Sequence, residues 1–200
     1  QARQTAFRRL AALGTPAVAA TLWGDSLSVA EAFNRPGQFT TLLGFEWTSA
    51  PGGSNLHRVV IFRDDSDKTG QVLPLSSRGD AQPDELWDYL QAYETRTGGQ
   101  VLAIPHNGNL SNGLMFPVDE RYDDARVDRD YVTRRARWEP VVEVTQIKGD
   151  GETHTTLSPA EEFADYETWD QGNFEGVPTL PKMLQYEYAR SALKNGLALE

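Results

Sequence analysis

The chain holds three histidines and no cysteine, so a tightly bound metal would have to rest on imidazole and carboxylate rather than thiolate. Glu46 lies inside an apolar run, Leu42-Leu43-Gly44-Phe45-Glu46-Trp47, where a buried carboxylate needs a partner. His57 follows eleven positions later, and the intervening Pro51-Gly52-Gly53 can turn the chain so that imidazole and carboxylate meet. His106 ends the apolar run Gln100 to Pro105 and leads into Asn107-Gly108-Asn109, which supplies amide donors and a flexible backbone. Glu143, flanked by Val142 and Val144, repeats the situation of Glu46. Two histidines and two strand-borne glutamates make an N/O donor set suited to Zn, Mn or Fe(II). An ion held there would neutralise the carboxylates, lower the pKa of a coordinated water and polarise a phosphoryl or carbonyl oxygen. His154, in the loop Gly151 to Thr156, is a further candidate ligand. A plainer role stays open for all five: Glu46 and Glu143 as solvent-facing residues or partners of Arg58 and Arg63, and the histidines as ordinary hydrogen-bonded side chains.

Other chemistries lack a motif. Asp65-Ser66-Asp67 has neither the later ligands nor the glutamate of an EF-hand loop. No GxGxxG, GxxxxGK[ST] or GxSxG pattern occurs, so nucleotide-cofactor and serine-hydrolase readings have nothing to rest on.

The elements that must carry these residues follow from periodicity. Ala6, Phe7, Leu10 and Leu13 predict a short first helix, and Asp25-Ser26 opens a second one through Phe33. Phe39 to Trp47 and Leu56 to Phe62 read as strands that can neighbour each other. Asp64 to Pro83 is a polar connection, long for an unstructured loop. A helix with the stripe Leu86, Trp87, Leu90 and Tyr93 starts at Pro83 and ends at Gly98-Gly99. Strands follow at 100–105 and at Pro140 to Ile147, with a charged helix, Asp119 to Arg137, between them. Ser158 to Glu162 reads as a helix start, and Lys182 to Leu199 as a final helix. Short apolar strands alternating with helices predict one α/β domain over residues 1–200 with a largely parallel sheet and functional residues at the carboxyl ends of its strands.

Composition narrows the partners. A formal net charge of -10 argues against broad nucleic-acid affinity, which needs clustered cations. No stretch approaches the roughly 18 consecutive apolar residues of a membrane span. With 39% hydrophobic residues, five Trp, seven Tyr and eight Phe, the chain has the apolar content of a folded domain.

Several blocks carry a resemblance. They are Gly44-Phe45-Glu46-Trp47-Thr48-Ser49, Pro51 to Arg58, Ile104 to Gly113, Glu143 to His154, and Tyr188 to Leu197. Together, from about Phe39 to the C-terminus, the chain resembles a bacterial family related to the PHP (polymerase and histidinol phosphatase) metallohydrolases. The resemblance implies a distorted (β/α) barrel whose strand ends hold divalent ions, and hydrolysis of a small-molecule substrate, most typically a phosphate ester. On that pattern Glu46 matches the bridging glutamate, His57 and His106 the histidines of successive blocks, and Glu143 a strand-end carboxylate. Glu152 and His154 share a further block. The His-x-His and Asp-x-His pairs that open and close PHP sites occur nowhere in the sequence. The resemblance therefore implies an internal fragment of a longer protein, holding one ion less tightly than a complete site and needing its missing parts or a partner for full activity. It also implies a parent that is exported or periplasmic. A different class of reading is a non-catalytic binding or scaffold module that uses Trp47, Trp87, Trp138 and Trp169 for metal-independent contact, although Trp87 on its helix stripe and Trp47 beside its strand suit a core.

Overall fold

The computed structural model describes residues 15–77 and 80–199. The helix expected around Ala6 to Leu13 lies outside them. Helix α1, Pro16–Phe33, is capped by Thr15, whose hydroxyl accepts from the Val18 amide, with Pro16 preset for the first turn. It is longer than the expected Asp25 start because Ser26 and Ser28 bond back to the carbonyls of Leu22 and Gly24 and so fit a helix interior. Trp23 and Leu27 are its buried anchors.

Strands β1 (Leu43–Trp47), β2 (Arg58–Phe62) and β3 (Val101–Pro105) form one sheet in the order β1-β2-β3. Both pairings are antiparallel, with Glu46 opposite Val59, and Val59 opposite Ile104. The largely parallel sheet and the PHP-type barrel expected from the sequence are thus overturned: among the described residues the sheets are small and antiparallel, and none closes into a barrel.

The connection from β2 to β3 explains the reversal. Past a one-turn helix α2 (Ser66–Thr69), the polar segment runs from Asp64, which accepts from the Gln100 amide at one end of the sheet, to Ala81, whose carbonyl accepts from Ser49 at the other. Helix α3, Pro83–Thr97, then returns to the first end, where Gly98 closes it at φ 62°. A strand, helix, strand unit crosses the sheet once between strands and makes them parallel. Here the segment crosses and α3 crosses back, so β3 enters beside the end of β2 and runs antiparallel to it.

One face of this sheet carries the core. Leu43, Trp47, Val60, Phe62, Val101 and Ala103 pack with Trp23 and Leu27 of α1 and with Leu86, Trp87, Leu90 and Tyr93 of α3. Helix α4, Arg129–Trp138, packs on α3 and β3 and starts at Asp128, which accepts from the Tyr131 amide. It is shorter than the expected Asp119 to Arg137 because residues 120–126 close a turn through the Glu120 and Arg126 bridge, with Asp124 at φ 59°. The expected strand Pro140 to Ile147 does not join the sheet. Only Thr145–Gln146 (β4) is strand, and it pairs with Gly149–Asp150 (β5) as a small antiparallel hairpin across Ile147-Lys148. The 158–162 segment makes turns rather than a helix. Helix α5, Ala189–Ala198, begins later than expected because a 3-10 turn, Leu184–Tyr186, precedes it. No helix among the described residues is long and apolar enough to cross a membrane.

A buried ion pair pins α4 to the sheet. Arg58 points into the core from β2; its Nε donates to Glu139 Oε1 at 3.0 Å and its Nη1 to the Leu56 carbonyl at 2.6 Å. Trp87 Nε1 donates to the same Glu139 oxygen at 3.0 Å, and Arg135 lies 3.3 Å from the other. Burial alone would push the Glu139 carboxyl up, but Arg58, Arg135 and these hydrogen bonds outweigh it and hold the group below its ordinary 4.5. Glu139→Ala leaves Arg58 buried without its carboxylate and should cost about 3–5 kcal/mol in urea unfolding followed by Trp fluorescence. Because the folded value is the lower one, the contribution of Glu139 ionisation is complete above about pH 4.5 and disappears as pH falls through the folded value. Glu139→Gln should therefore flatten the acid limb of the stability curve.

Candidate metal centre

Side-chain alternation decides which residues can meet. In β1 the core takes Leu43 and Trp47, leaving Glu46 on the opposite face. In β2 the core takes Arg58, Val60 and Phe62, so Val59 and the preceding His57 share the face of Glu46. In β3 the core takes Val101, Ala103 and Pro105, so Ile104 and the following His106 share it too. The ladder continues one step past the strands, where the His106 amide donates to the His57 carbonyl at 3.4 Å.

The three side chains converge. Glu46 Oε1 lies 3.0 Å from His57 Nδ1 and 3.2 Å from His106 Nε2. The imidazole rings meet edge to face at 5.8 Å. Both histidines are buried, whereas the Glu46 side chain is 49% exposed. The buried carboxylate foreseen inside the apolar run is therefore half open to water, because strand parity turns it away from the core. Burial pushes the His57 pKa down, Glu46 opposes that only in part, and His106 and Lys148 add to the lowering. The neutral imidazole, the form that binds metals, is thereby favoured.

A second network holds the two histidine backbones together. Asn55, fully buried, donates from Nδ2 to the His106 and Asn107 carbonyls, each at 3.0 Å, and accepts from the His57 amide at 2.7 Å. The β1 to β2 loop is fastened from outside by residues 173–175. Asn173 Nδ2 donates to the Gly52 carbonyl, and the Phe174 amide to the Gly53 carbonyl. Gly53 sits at φ 79°, and a Cβ there would lie 2.6 Å from Glu175, so this closure needs glycine. It also lays the Phe174 ring 5.5 Å from that of His57.

The donors fit a divalent ion. Three groups, Glu46, His57 and His106, each offer a ligand atom within 4.8 Å of the others. Tetrahedral Zn with bonds of about 2.0–2.1 Å has ligand-to-ligand edges of about 3.3 Å, close to the two separations from Glu46. His57 Nε2, His106 Nδ1, both polar side-chain atoms of Asn107, and Asn109 Oδ1 are buried without a hydrogen-bond partner. The two imidazole nitrogens are the ones that do not face Glu46, and the asparagine atoms belong to the loop after His106; a ligand or ordered water is what relieves such unsatisfied atoms.

Glu143 and His154 are placed differently. Glu143 accepts from the Asn107 amide at 3.3 Å and from Gln146 Nε2 at 3.0 Å, so it steadies the backbone after His106 and lies outside the three-residue group. His154 stands apart: its Nδ1 accepts from the Thr156 amide at 3.1 Å, its Nε2 lies 3.3 Å from Asp170 Oδ2, and its ring packs on Tyr188. Both of its ring nitrogens are thus engaged. Glu152 pairs with Arg190, and Arg58 and Arg63 pair with Glu139 and Gln100 rather than with Glu46 or Glu143.

Residues 2–200 match the family model described as Protein of unknown function (DUF3604). The chain belongs to this family. No curated protein and no solved structure matches it. The DUF3604 description names no activity and carries no link to the PHP metallohydrolases that the sequence blocks resemble.

Sequence reasoning on this DUF3604 chain passed over Asn55 as a tie between the histidines, Lys148 and Phe174 as neighbours of His57, and Glu187. Only Asn55 left a local signal, a short polar residue two before a histidine; the rest depend on contacts distant in sequence. Glu187 backs the loop after His106: its Oε1 accepts from the Gly113 amide at 2.9 Å, and its carbonyl lies so close to Gly108 that no Cβ fits there. Burial, with Asp170 adding to it, pushes the Glu187 carboxyl up to about 8 against the pull of the Gly113 and Asn112 amides. Its folded value is the higher one, so its contribution is complete below about pH 4.5 and is lost as pH rises through about 8. The unfolding free energy of the DUF3604 chain, from urea titrations, should fall over that interval, by at most about 1.4 kcal/mol per pH unit from this group. In Glu187→Gln that component of the slope should vanish.

Proposed function

We propose that this chain forms the metal-binding part of a hydrolase acting on phosphate esters, with Glu46, His57 and His106 as the ion's protein ligands. The observation that carries the reading is the convergence of Glu46 Oε1, His57 Nδ1 and His106 Nε2 at one end of the three-stranded sheet, where Glu46 is half exposed. A divalent ion in such an N/O set would supply a Lewis acid and a water of lowered pKa, both of which lower the barrier to ester hydrolysis at neutral pH. The chain's residues supply the rest. Asn55 sets the spacing of the histidine backbones, and Glu143 fixes the Asn107 amide. Burial keeps His57 neutral, and the half-exposed Glu46 leaves the group reachable from solvent. The side-chain amide of Asn107, whose Nδ2 has no partner, can donate to a substrate oxygen.

A second reading, a binding module without catalysis, draws on a different observation. Phe163, Tyr166, Trp169 and Phe174 are all exposed on one stretch of irregular chain. Trp47, Trp87 and Trp138, in contrast, are buried and take no part in any surface.

Metal content after purification without chelator separates the two. Elemental analysis should show near-stoichiometric Zn, Mn or Fe in the wild-type chain and its loss in Glu46→Ala/His57→Ala/His106→Ala, with circular dichroism confirming that the variant is folded. The wild-type chain should also release nitrophenol from nitrophenyl phosphate esters in a chelator-sensitive way. A wild-type chain that takes up none of these ions when they are added would overturn the hydrolase reading and favour the binding module.

A further inference from the structure

Lys148 stands at the tip of the β4–β5 hairpin, and that hairpin is fastened to the His106 loop at several points. Asn109 Nδ2 donates to the Lys148 carbonyl at 3.2 Å and to the Trp169 carbonyl at 3.1 Å. Gly149, at φ 112°, is packed so closely that a Cβ would lie 2.6 Å from Trp169 and 2.9 Å from Asn109 Nδ2. Next to the turn, Gln146 bonds Glu143, which in turn accepts from the Asn107 amide. The backbone of Lys148 is therefore set by the same asparagine loop that positions His106.

Its side chain reaches the aromatic ring that packs on His57. Lys148 Nζ lies 6.0 Å from the centre of the Phe174 ring, the ring that faces His57 at 5.5 Å. No carboxylate forms an ion pair with Lys148 among the described residues, in contrast to Lys68, which is paired with Asp64. An exposed, unpaired cation thus stands beside the ring that packs on His57, on a hairpin tied to the loop in which Asn107 and Asn109 carry buried atoms without partners.

We infer that Lys148 is the anion-recognising residue of this site: its ammonium binds a non-bridging oxygen of a phosphate group seated beside Glu46, His57 and His106, and so selects anionic over neutral esters. This rests on the proposed hydrolase reading for its location, but Lys148 itself is tested by binding. A compact ammonium on a flexible stem suits a tetrahedral oxyanion as a point charge. Phosphate affinity should accordingly fall with rising ionic strength.

The experiment is calorimetric titration of inorganic phosphate into the full chain, with and without added Mn2+, for wild type, Lys148→Ala, Lys148→Arg and Lys68→Ala. Lys148→Ala should weaken phosphate binding by about tenfold or more, Lys148→Arg should retain most of it, and Lys68→Ala, which changes a cation at the far end of the sheet, should leave it unchanged. Metal uptake should be equal in all four chains. Equal phosphate affinity in wild type and Lys148→Ala, or no phosphate binding by wild type, would overturn the assignment. Failure of every chain to take up metal, with phosphate binding still dependent on Lys148, would overturn the hydrolase reading and leave the anion site standing.

Discussion

Side chains on neighbouring strands of a sheet share a face only at matching positions of the ladder, and that constraint underlies everything else in this molecule. Once Trp47, Arg58 and Pro105 stand in one row facing the core, Glu46, His57 and His106 have no choice but the other face. A slip of one residue in any strand would send one of the three into the core and expose a core side chain in exchange. The large residues on the inner face therefore hold the register that the outer face uses. Trp47, Phe62 and Val60 against Leu86, Trp87 and Leu90 do this by burial, while Arg58 does it by charge, since its guanidinium can meet Glu139 only from one register.

Polar side chains complete what the ladder begins. β2 and β3 stop short of the histidines, and beyond their ends the separation of the two chains is set by Asn55, one amide bonded to three backbone groups. Glu143, Asn109 and Glu187 hold the loop after His106 from three other directions. A rigid surround of this kind is the usual condition for a site in which donor atoms must stay within a few tenths of an ångström of their places. It leaves the site open on the side of Glu46 and brings Phe174 against His57, with Lys148 beside the Phe174 ring.

Nearly forty residues between Gly151 and Tyr188 contain little regular structure, yet they are tied to the rest by specific contacts. Asn173 closes on the β1 to β2 loop, Ala189 and Arg190 donate to the carbonyls of Gly151 and Glu152, and Phe116 donates to Tyr186. This part of the chain encloses the hairpin and the His106 loop without a sheet or helix of its own, and its exposed aromatics, Phe163, Tyr166 and Trp169, face solvent.

What could be read from the sequence alone was local. The apolar stripe and terminal glycines marked α3, the β-forming runs marked β1, β2 and β3, and the absence of cysteine directed attention to Glu46, His57 and His106. Strand direction was not local. It depends on whether the polar segment 64–82 crosses the sheet before α3 does, and no periodicity in that segment records the crossing; it is revealed by contacts such as Ser49 with Ala81 and Asp64 with Gln100. The Pro140 to Ile147 run looked like a further buried strand from its valines, but hairpin pairing with Gly149–Asp150 took its last residues instead. The roles of Asn55, Lys148 and Glu187 were likewise decided only in three dimensions. Residue type says which groups can bind a metal, a proton or an anion; which of them meet is set by packing between segments far apart in the chain.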